Sequence, residues 1–315
     1  MRILVTICGL AVLSLAQAQN EVVSAGYDIP TYPAFAPGQV ITLFVRGLKV
    51  PDALAAGTPI PTTLAGITVR VKSSIPNYPD RLPIFSVRSY DSLTHVTVQI
   101  PTEPTCVVTS NIPNECTITY PPRIVLTVEQ GGNPGQDFPI IVNGVNGVNP
   151  HIINACDTIF GIGGICNPFV THADGSLIGS GCANPGETIV IYAVGLGGAT
   201  NVRVKTGEAA PSSPPARYVG DYFLTVSFRL NQPPSSTGSP VTWVPMPQWF
   251  YAEYVGLVPG YVGLYQINFK VPAVLPPDLL SYGYGPNMRI AIGAGSTPTS
   301  PADGVTFVDV CVQAQ

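Results

Sequence analysis

The side chains in this chain that could do chemistry are few. Thr171 to Ser176, THADGS, brings a histidine, an aspartate and a serine together in one short run, the residue types of an acyl-transfer triad. A triad is made by spatial geometry and not by adjacency. Asp-Gly followed by Ser is turn chemistry, because Asp tolerates the left-handed backbone region and Gly prefers it, so the stretch reads as a hairpin turn. No GxSxG occurs, which closes the route through a strained strand-to-helix nucleophile elbow.

The remaining titratable groups are dispersed. His95 heads an alternating run and His151 sits in a turn-rich junction, neither with a partner at metal-ligand spacing. A glycosidase needs two facing carboxylates, whereas Asp28, Asp52, Asp80, Asp157, Asp278 and Asp303 are spread through turns. Calcium would draw on Asp157, Asp174 and Asp303, but there is no DxDxDG run of the kind that wraps this ion. The pairs Gly131-Gly132, Gly163-Gly164 and Gly197-Gly198 precede neither a helical pattern nor Lys-Ser/Thr, so they lack the geometry of a phosphate cradle. These readings imply no catalytic residue, no metal and no cofactor.

One stretch stands apart. VTWVPMPQWFYAEYVG, Val241 to Gly256, gathers Trp243, Trp249, Phe250, Tyr251 and Tyr254 and holds both tryptophans of the chain. Aromatic rings on a β scaffold can stack on sugar rings, and large aromatics also dominate protein cores. Trp243, Trp249, Tyr251 and Tyr254 are the candidate ligand-binding residues, with an extracellular polysaccharide or another surface protein as the candidate partner.

The chain opens MRILVTICGLAVLSLAQAQ, an early arginine, an apolar run and Ala16-Gln17-Ala18. This is a secretory signal peptide over residues 1–18, too short in its apolar run to stay as a transmembrane helix. Cys8 leaves with it, and Cys106, Cys116, Cys156, Cys166, Cys182 and Cys311 remain. An even set in an exported chain predicts disulfides. Spacing favours Cys106 with Cys116 and Cys156 with Cys166, although Cys182 competes for the second pair; elimination then joins Cys182 to Cys311.

Charged residues are only 10% of the chain, the formal net charge is -4 and there are four lysines, which removes the positive footprint that nucleic-acid binding needs. Thirty-four prolines and thirty-two glycines punctuate the sequence. Each costs a helix about 3 or 1 kcal/mol, so short strands are the element that must position everything else. The predicted strands lie near 39–46, 66–72, 83–89, 94–100, 123–129 and 138–143, then 187–194, 201–205, 222–230, 249–254, 264–271, 287–292 and 305–312. Tyr265, Ile267, Phe269 and Val271 alternate with Gln266, Asn268 and Lys270, the period of a half-buried strand.

Two segments are near copies: PGQVITLFVRGL from Pro37 and PGETIVIYAVGL from Pro185. HVTVQIP from His95 parallels YQINFKVP from Tyr265, and RIVLTVEQGG from Arg123 parallels RIAIGAGS from Arg289, in the same order. The chain is therefore an internal duplication, with domains at 19–147 and 148–315 and a junction at NGVNGVNPH. The second half is longer between the matched segments, with the excess around Pro211 to Trp249.

The set NPGETIVIYAVGLG, YVGLVPGYVGLYQINFKVP and RIAIGAGS, with HADGS upstream, resembles the uncharacterised C-terminal domain family named after Solibacter, found in exported proteins of Acidobacteria. The resemblance covers most of Pro150 to Gln315, and residues 35–142 look like a divergent first copy. It implies immunoglobulin-like β folds, hence an all-β protein of two tandem, disulfide-stabilised β-sandwiches. It supplies no catalytic residue. The functional expectation is a non-enzymatic binding or adhesion module, secreted or held at the cell surface. The alternative is a carbohydrate-binding or carbohydrate-active protein using residues 241–256, with any hydrolytic site across the domain seam.

Overall fold

The computed structural model describes residues 19–27, 34–75, 77–103, 123–143, 149–159, 166–197, 200–219, 222–230, 243–248, 250–281, 283, 285–294 and 306–313. The expectations for the signal peptide, for Cys106, Cys116 and Asp303, and for Trp249 lie outside them.

Ten strands form the first half: β1 (Glu21–Gly26), β2 (Ala34–Phe35), β3 (Val40–Arg46), β4 (Ala53–Leu54), β5 (Thr63–Leu64), β6 (Ile67–Lys72), β7 (Ile84–Tyr90), β8 (Leu93–Gln99), β9 (Arg123–Gln130) and β10 (Asn133–Val142). They make two sheets, β1-β3-β8-β7-β4 and β2-β10-β9-β6-β5. Ile67, Val69 and Val71 alternate with Thr68, Arg70 and Lys72, and the first three point inward and are buried. With Ile41, Leu43, Val96, Val98, Leu126 and Ile140 they build the core between the sheets.

The second half repeats this frame with β11 (His151–Ile152), β12 (Val170–His172), β13 (Thr188–Val194), β14 (Tyr222–Arg229), β15 (Trp243–Pro245), β16 (Phe250–Tyr251), β17 (Tyr254–Leu257), β18 (Tyr265–Lys270), β19 (Met288–Ala294) and β20 (Thr306–Val310). One sheet runs β11-β13-β18-β17 with β12 also on β13, the other β15-β14-β19-β20 with β16 also on β14. The fold is all-β, two tandem immunoglobulin-like sandwiches, and among the described residues no helix is long and apolar enough to cross a membrane.

The duplicated segments occupy matching places. β3 and β13 each lie between an early strand and β8 or β18, and Val40 opposite Gln99 corresponds to Thr188 opposite Lys270. Gly38 and Gly186, which open these strands, have φ of +77 and +80. Gly47 and Gly195, which close them, have +90 and +78. Even the short parallel pairing recurs, β2 with β10 in the first half and Ala183 with Val312 in the second.

Two expectations are corrected. Residues 201–205 form no strand: Val202 and Val204 pack against the second core, but the segment runs as a loop, with an isolated bridge from Thr200 to Tyr218 beside it. Alternation alone cannot supply the neighbouring strand that a ladder needs. Cys156 and Cys166 are bridged, with Cα atoms 4.8 Å apart, whereas Cys182 and Cys311 are buried and carry no disulfide, the Cys311 thiol lying against the Ile178 and Gly181 carbonyls. Burial, with the Cys311 thiol beside it, pushes the Cys182 thiol up to about 12. Elimination counted cysteines as bridging partners only, while a buried cysteine also serves as a small apolar side chain.

The two sandwiches are joined by a dense seam. Gln39, fully buried, donates from Nε2 to the Tyr27 hydroxyl at 2.7 Å and to the Asn149 carbonyl at 3.2 Å. Asn149 Nδ2 donates to the Ala34 carbonyl at 2.8 Å. Gly207 donates to Gln99 Oε1 at 2.7 Å and its carbonyl accepts from Ile60 at 2.9 Å. Val194 and Ile153, from the second half, are part of the first core.

Candidate functional site

The four aromatic candidates do not form one platform. Trp243 on β15 lies opposite Arg229, and Tyr251 on β16 opposite Phe223, both along the same edge of β14. Leu224, Val226 and Phe228 are buried between the sheets, so by strand alternation Trp243 and Tyr251 share the outer face. Six positions along β14 separate them, about 20 Å at ~3.3 Å per residue. Tyr254 belongs to β17, opposite Asn268 in the other sheet, with Arg217 over its ring at 5.3 Å. It faces the other side of the sandwich. Phe250 points inward and meets Phe269 edge-on, ring centroids 5.9 Å apart.

The outer face of β15-β14-β19-β20 carries residues that the aromatic stretch does not contain. Arg289 on β19 lies over the Trp243 ring at 4.4 Å and over Phe307 of β20 at 5.5 Å, and Arg229 approaches the same indole at 5.8 Å. Asp309 accepts from Arg289 through both carboxylate oxygens, each at 2.7 Å. That pairing raises the guanidinium above its ordinary range, ahead of the opposing effect of burial, and fixes the plane of the cation against the indole. Each cation–π contact is worth about 0.5–1 kcal/mol at such a partly exposed site. Phe307 is 43% exposed and Tyr251 67% exposed, so apolar ring surface faces water here without serving the core.

Arg289, Phe307 and Asp309 carried a sequence signal that the aromatic count overlooked. RIAIGA and TFVDV both alternate, placing these three opposite the buried set. What the sequence does not show is that β19 and β20 are neighbours in a register that sets Arg289 against Asp309 and Ala291 against Phe307.

In the first half, the corresponding sheet has a different outer face. Arg70 pairs with Glu129 at 3.0 Å, Lys72 with Asp137 at 2.6 Å, and Thr63 with Thr68 at 2.9 Å.

The THADGS run is a turn. Ser176 donates from both Oγ (2.6 Å) and its backbone N–H (2.9 Å) to Asp174, bonds that hold this carboxyl below its usual range, and Gly175 has φ of +88. His172 turns away and pairs with Glu187. Asp157 is 1% exposed and accepts from His151 Nε2 at 2.8 Å and from the Asn154 N–H at 2.7 Å, while the His151 ring stacks on Tyr27 across the seam at 3.5 Å between centroids. Among the described residues no group of three or more His, Cys, Asp or Glu is placed to hold a metal. A cavity in the seam, lined by Gln99, Thr102, Gly263 and Tyr265 among others, measures about 20 Å³, room for a water and not for a sugar.

No protein-family model and no curated protein matches the chain. Among solved structures it is similar to the Yersinia pseudotuberculosis adhesin InvE, at 10% identity over 95% of this chain and 61% of that one, with a TM-score of 0.20. It is also similar to the C-terminal domain of the Streptococcus agalactiae AgI/II polypeptide BspA, at 11% identity over 92% and 99% of the two chains, with a TM-score of 0.16. The chain thus spans less than two thirds of the adhesin's length, and at TM-scores of this size neither likeness bears on what this chain binds.

Proposed function

We propose that this chain is an exported, non-enzymatic binding module, secreted or held at the cell surface, that contacts an extracellular polysaccharide through the outer face of β15-β14-β19-β20. The observation that carries the reading is Trp243, Arg289 and Phe307 stacked in series with Asp309 clamping the cation. A sandwich does not need that arrangement to fold, since the same sheet of the first half closes with ion pairs and threonines. Rings already held in one orientation lose little rotamer freedom when a ligand arrives. Their apolar surface suits the faces of sugar rings, and the arginines supply donors for hydroxyl or carboxylate groups.

Retardation of the native protein in gels containing a neutral glucan or a uronate-rich polysaccharide tests this. Trp243→Ala and Phe307→Ala should each abolish retardation while circular dichroism stays that of the parent, and Arg70→Ala should retain it. Equal mobility of all four proteins in every gel would overturn the reading.

A further inference from the structure

The duplication exposes a second surface, independent of the aromatic face. At the seam, the end of the first sandwich formed by Gly38, Gln39, Gln99 and Thr102 meets the opposite end of the second, formed by Asn149, Gly195, Gly207 and Gly263. Each sandwich has both ends, so one of each is left over. The matching end of the second sandwich consists of Gly186, Glu187, Lys270 and Ala273, followed by Val274.

The two matching ends differ in exposure. Residues 36–40 and 99–101 are all buried. Their counterparts Asn184 and Lys270 are exposed, while Val271 and Pro272 stay buried. Just beyond them Ala273 and Val274, where the first sandwich has the half-buried Thr102 and Glu103, are exposed, Val274 at 81%. The opposite end shows the same contrast: Gly195 is buried beneath the seam and its counterpart Gly47 is exposed. Asn20 packs on Gly47 as Asn149 packs on Gly195, and the Asn149 carboxamide is the group that crosses the seam to the Ala34 carbonyl. Cys182, just before the parallel pair of Ala183 with Val312, stands where Ala34 stands in the first sandwich.

We infer that a second copy of this chain docks head to tail, the exposed end of its first sandwich covering the exposed end of the second sandwich of its neighbour. The partner is a copy of this chain because the interface continues one the chain already makes within itself. The receiving end is concave, a hollow of about 610 Å³ lined by Asn20, Gly47, Lys49, Gln130, Asn133 and Pro134 among others, and Val274 projects from the end that enters it. Charge replaces amide at this joint: Glu187 stands for Gln39 and Lys270 for Gln99, and Lys49 stands where the second sandwich has Gly197. Because Gly195 is the residue set against Gln39 within the chain, its counterpart Gly47 of one copy faces Glu187 of the next, with Lys49 two residues further along the same strand end. Such a contact is heterologous, and because it leaves one end open at each step it propagates into chains instead of closing as a dimer.

Sedimentation of the chain from Gln19 onward, with its disulfides formed, tests this directly. The average mass should rise with concentration without a plateau at two copies. Ala273→Glu with Val274→Glu blocks one end, and Asn20→Asp with Lys49→Glu blocks the other. Each blocked protein should run as a monomer with unchanged circular dichroism, and a mixture of the two should give a one-to-one dimer and nothing larger. A single-copy mass up to about 1 mM, where association is worth only ~4 kcal/mol, would overturn the inference. So would a plateau at two copies, or a mixture of the blocked proteins that stays monomeric.

Discussion

The two sandwiches are one frame written twice, and they part company on the same outer sheet face. In the first, Arg70, Glu129, Lys72, Asp137, Thr63 and Thr68 satisfy each other across neighbouring strands. In the second, Trp243, Arg289 and Phe307 stack and Asp309 is the acid that holds them. The edge strand explains how the change was accommodated. In the first half the edge partner of the outer sheet, β5, comes before β6 in the chain; in the second, β15 and β16 follow β14 and are supplied by the longer connection. Extra chain at one edge thus brought tryptophan and tyrosine to a face that was otherwise solvated, while Met246 and Phe250 of the same edge pack inward against the core.

Substitutions at matched positions separate what the frame requires from what the seam adds. The largest effect is expected at Gly195, where a Cβ would meet the Asn149 carbonyl at 2.1 Å and Gln39 Cδ at 2.9 Å. Gly195→Ala should cost about 4 kcal/mol or more, in the exceptional tail for point mutants. Gly47→Ala, with the same positive φ but nothing nearer than 3.6 Å, should cost only the about 1–2 kcal/mol of left-handed strain. The same contrast sharpens at Gly263, whose Cβ would press on Gly38 and Val40 of the first sandwich at 2.8 Å, against Gly260, which has open space. Urea denaturation of the four alanine variants measures all of this, and equal losses within either pair would dissolve the distinction between seam and frame.

Gln39 and Glu187 make a second matched pair. Each accepts the N–H three residues back, from Ala36 and Asn184, both at 2.7 Å. Gln39 also donates to the Tyr27 hydroxyl and, across the seam, to the Asn149 carbonyl, so Gln39→Ala leaves both acceptors without that donor and should cost about 1–3 kcal/mol. Glu187 titrates where Gln39 cannot. Burial would raise it, but the Asn184 N–H and the His172 ring outweigh that and hold it below the ordinary carboxylate range. A carboxyl depressed on folding gives stability that is present above its unfolded pKa and is lost as pH falls through the folded one. The acid limb of the melting curve should therefore flatten in Glu187→Gln, and an unchanged limb would remove Glu187 from that role.

The smallest effect is expected on the first outer face. Lys72→Ala should shift stability by less than about 1 kcal/mol, as exposed ion pairs do, because both Lys72 and Asp137 face water. The thiols give a qualitative check on the frame: Cys182 and Cys311 should resist alkylation in the folded protein and react, two per chain, once it is unfolded under non-reducing conditions.

Much of the frame is legible in the sequence. Pro-Gly at the start and Gly-Leu at the end of the duplicated segments mark two turns that need positive φ, and Gly38, Gly186, Gly47 and Gly195 all have it. The period of two in Tyr265 to Val271 places β18, with Tyr265, Ile267, Phe269 and Val271 buried. The binding face is only half legible. Trp243 and Tyr251 can be named from composition, but Tyr254, three residues on from Tyr251, enters the other sheet because β16 and β17 are separate strands. Arg289 and Phe307 need the pairing of β19 with β20, and strand neighbours distant in sequence leave no local mark.

Tryptophan emission tests the central claim most directly. In a Trp249→Phe variant, Trp243 alone reports, and its indole is the ring under Arg289. Titration with the polysaccharide that retards the native protein should shift or quench that emission to saturation, and Arg289→Ala should weaken the effect. A full titration that leaves the emission of the folded variant unchanged while the polysaccharide still binds would place the contact elsewhere on the molecule and contradict the account.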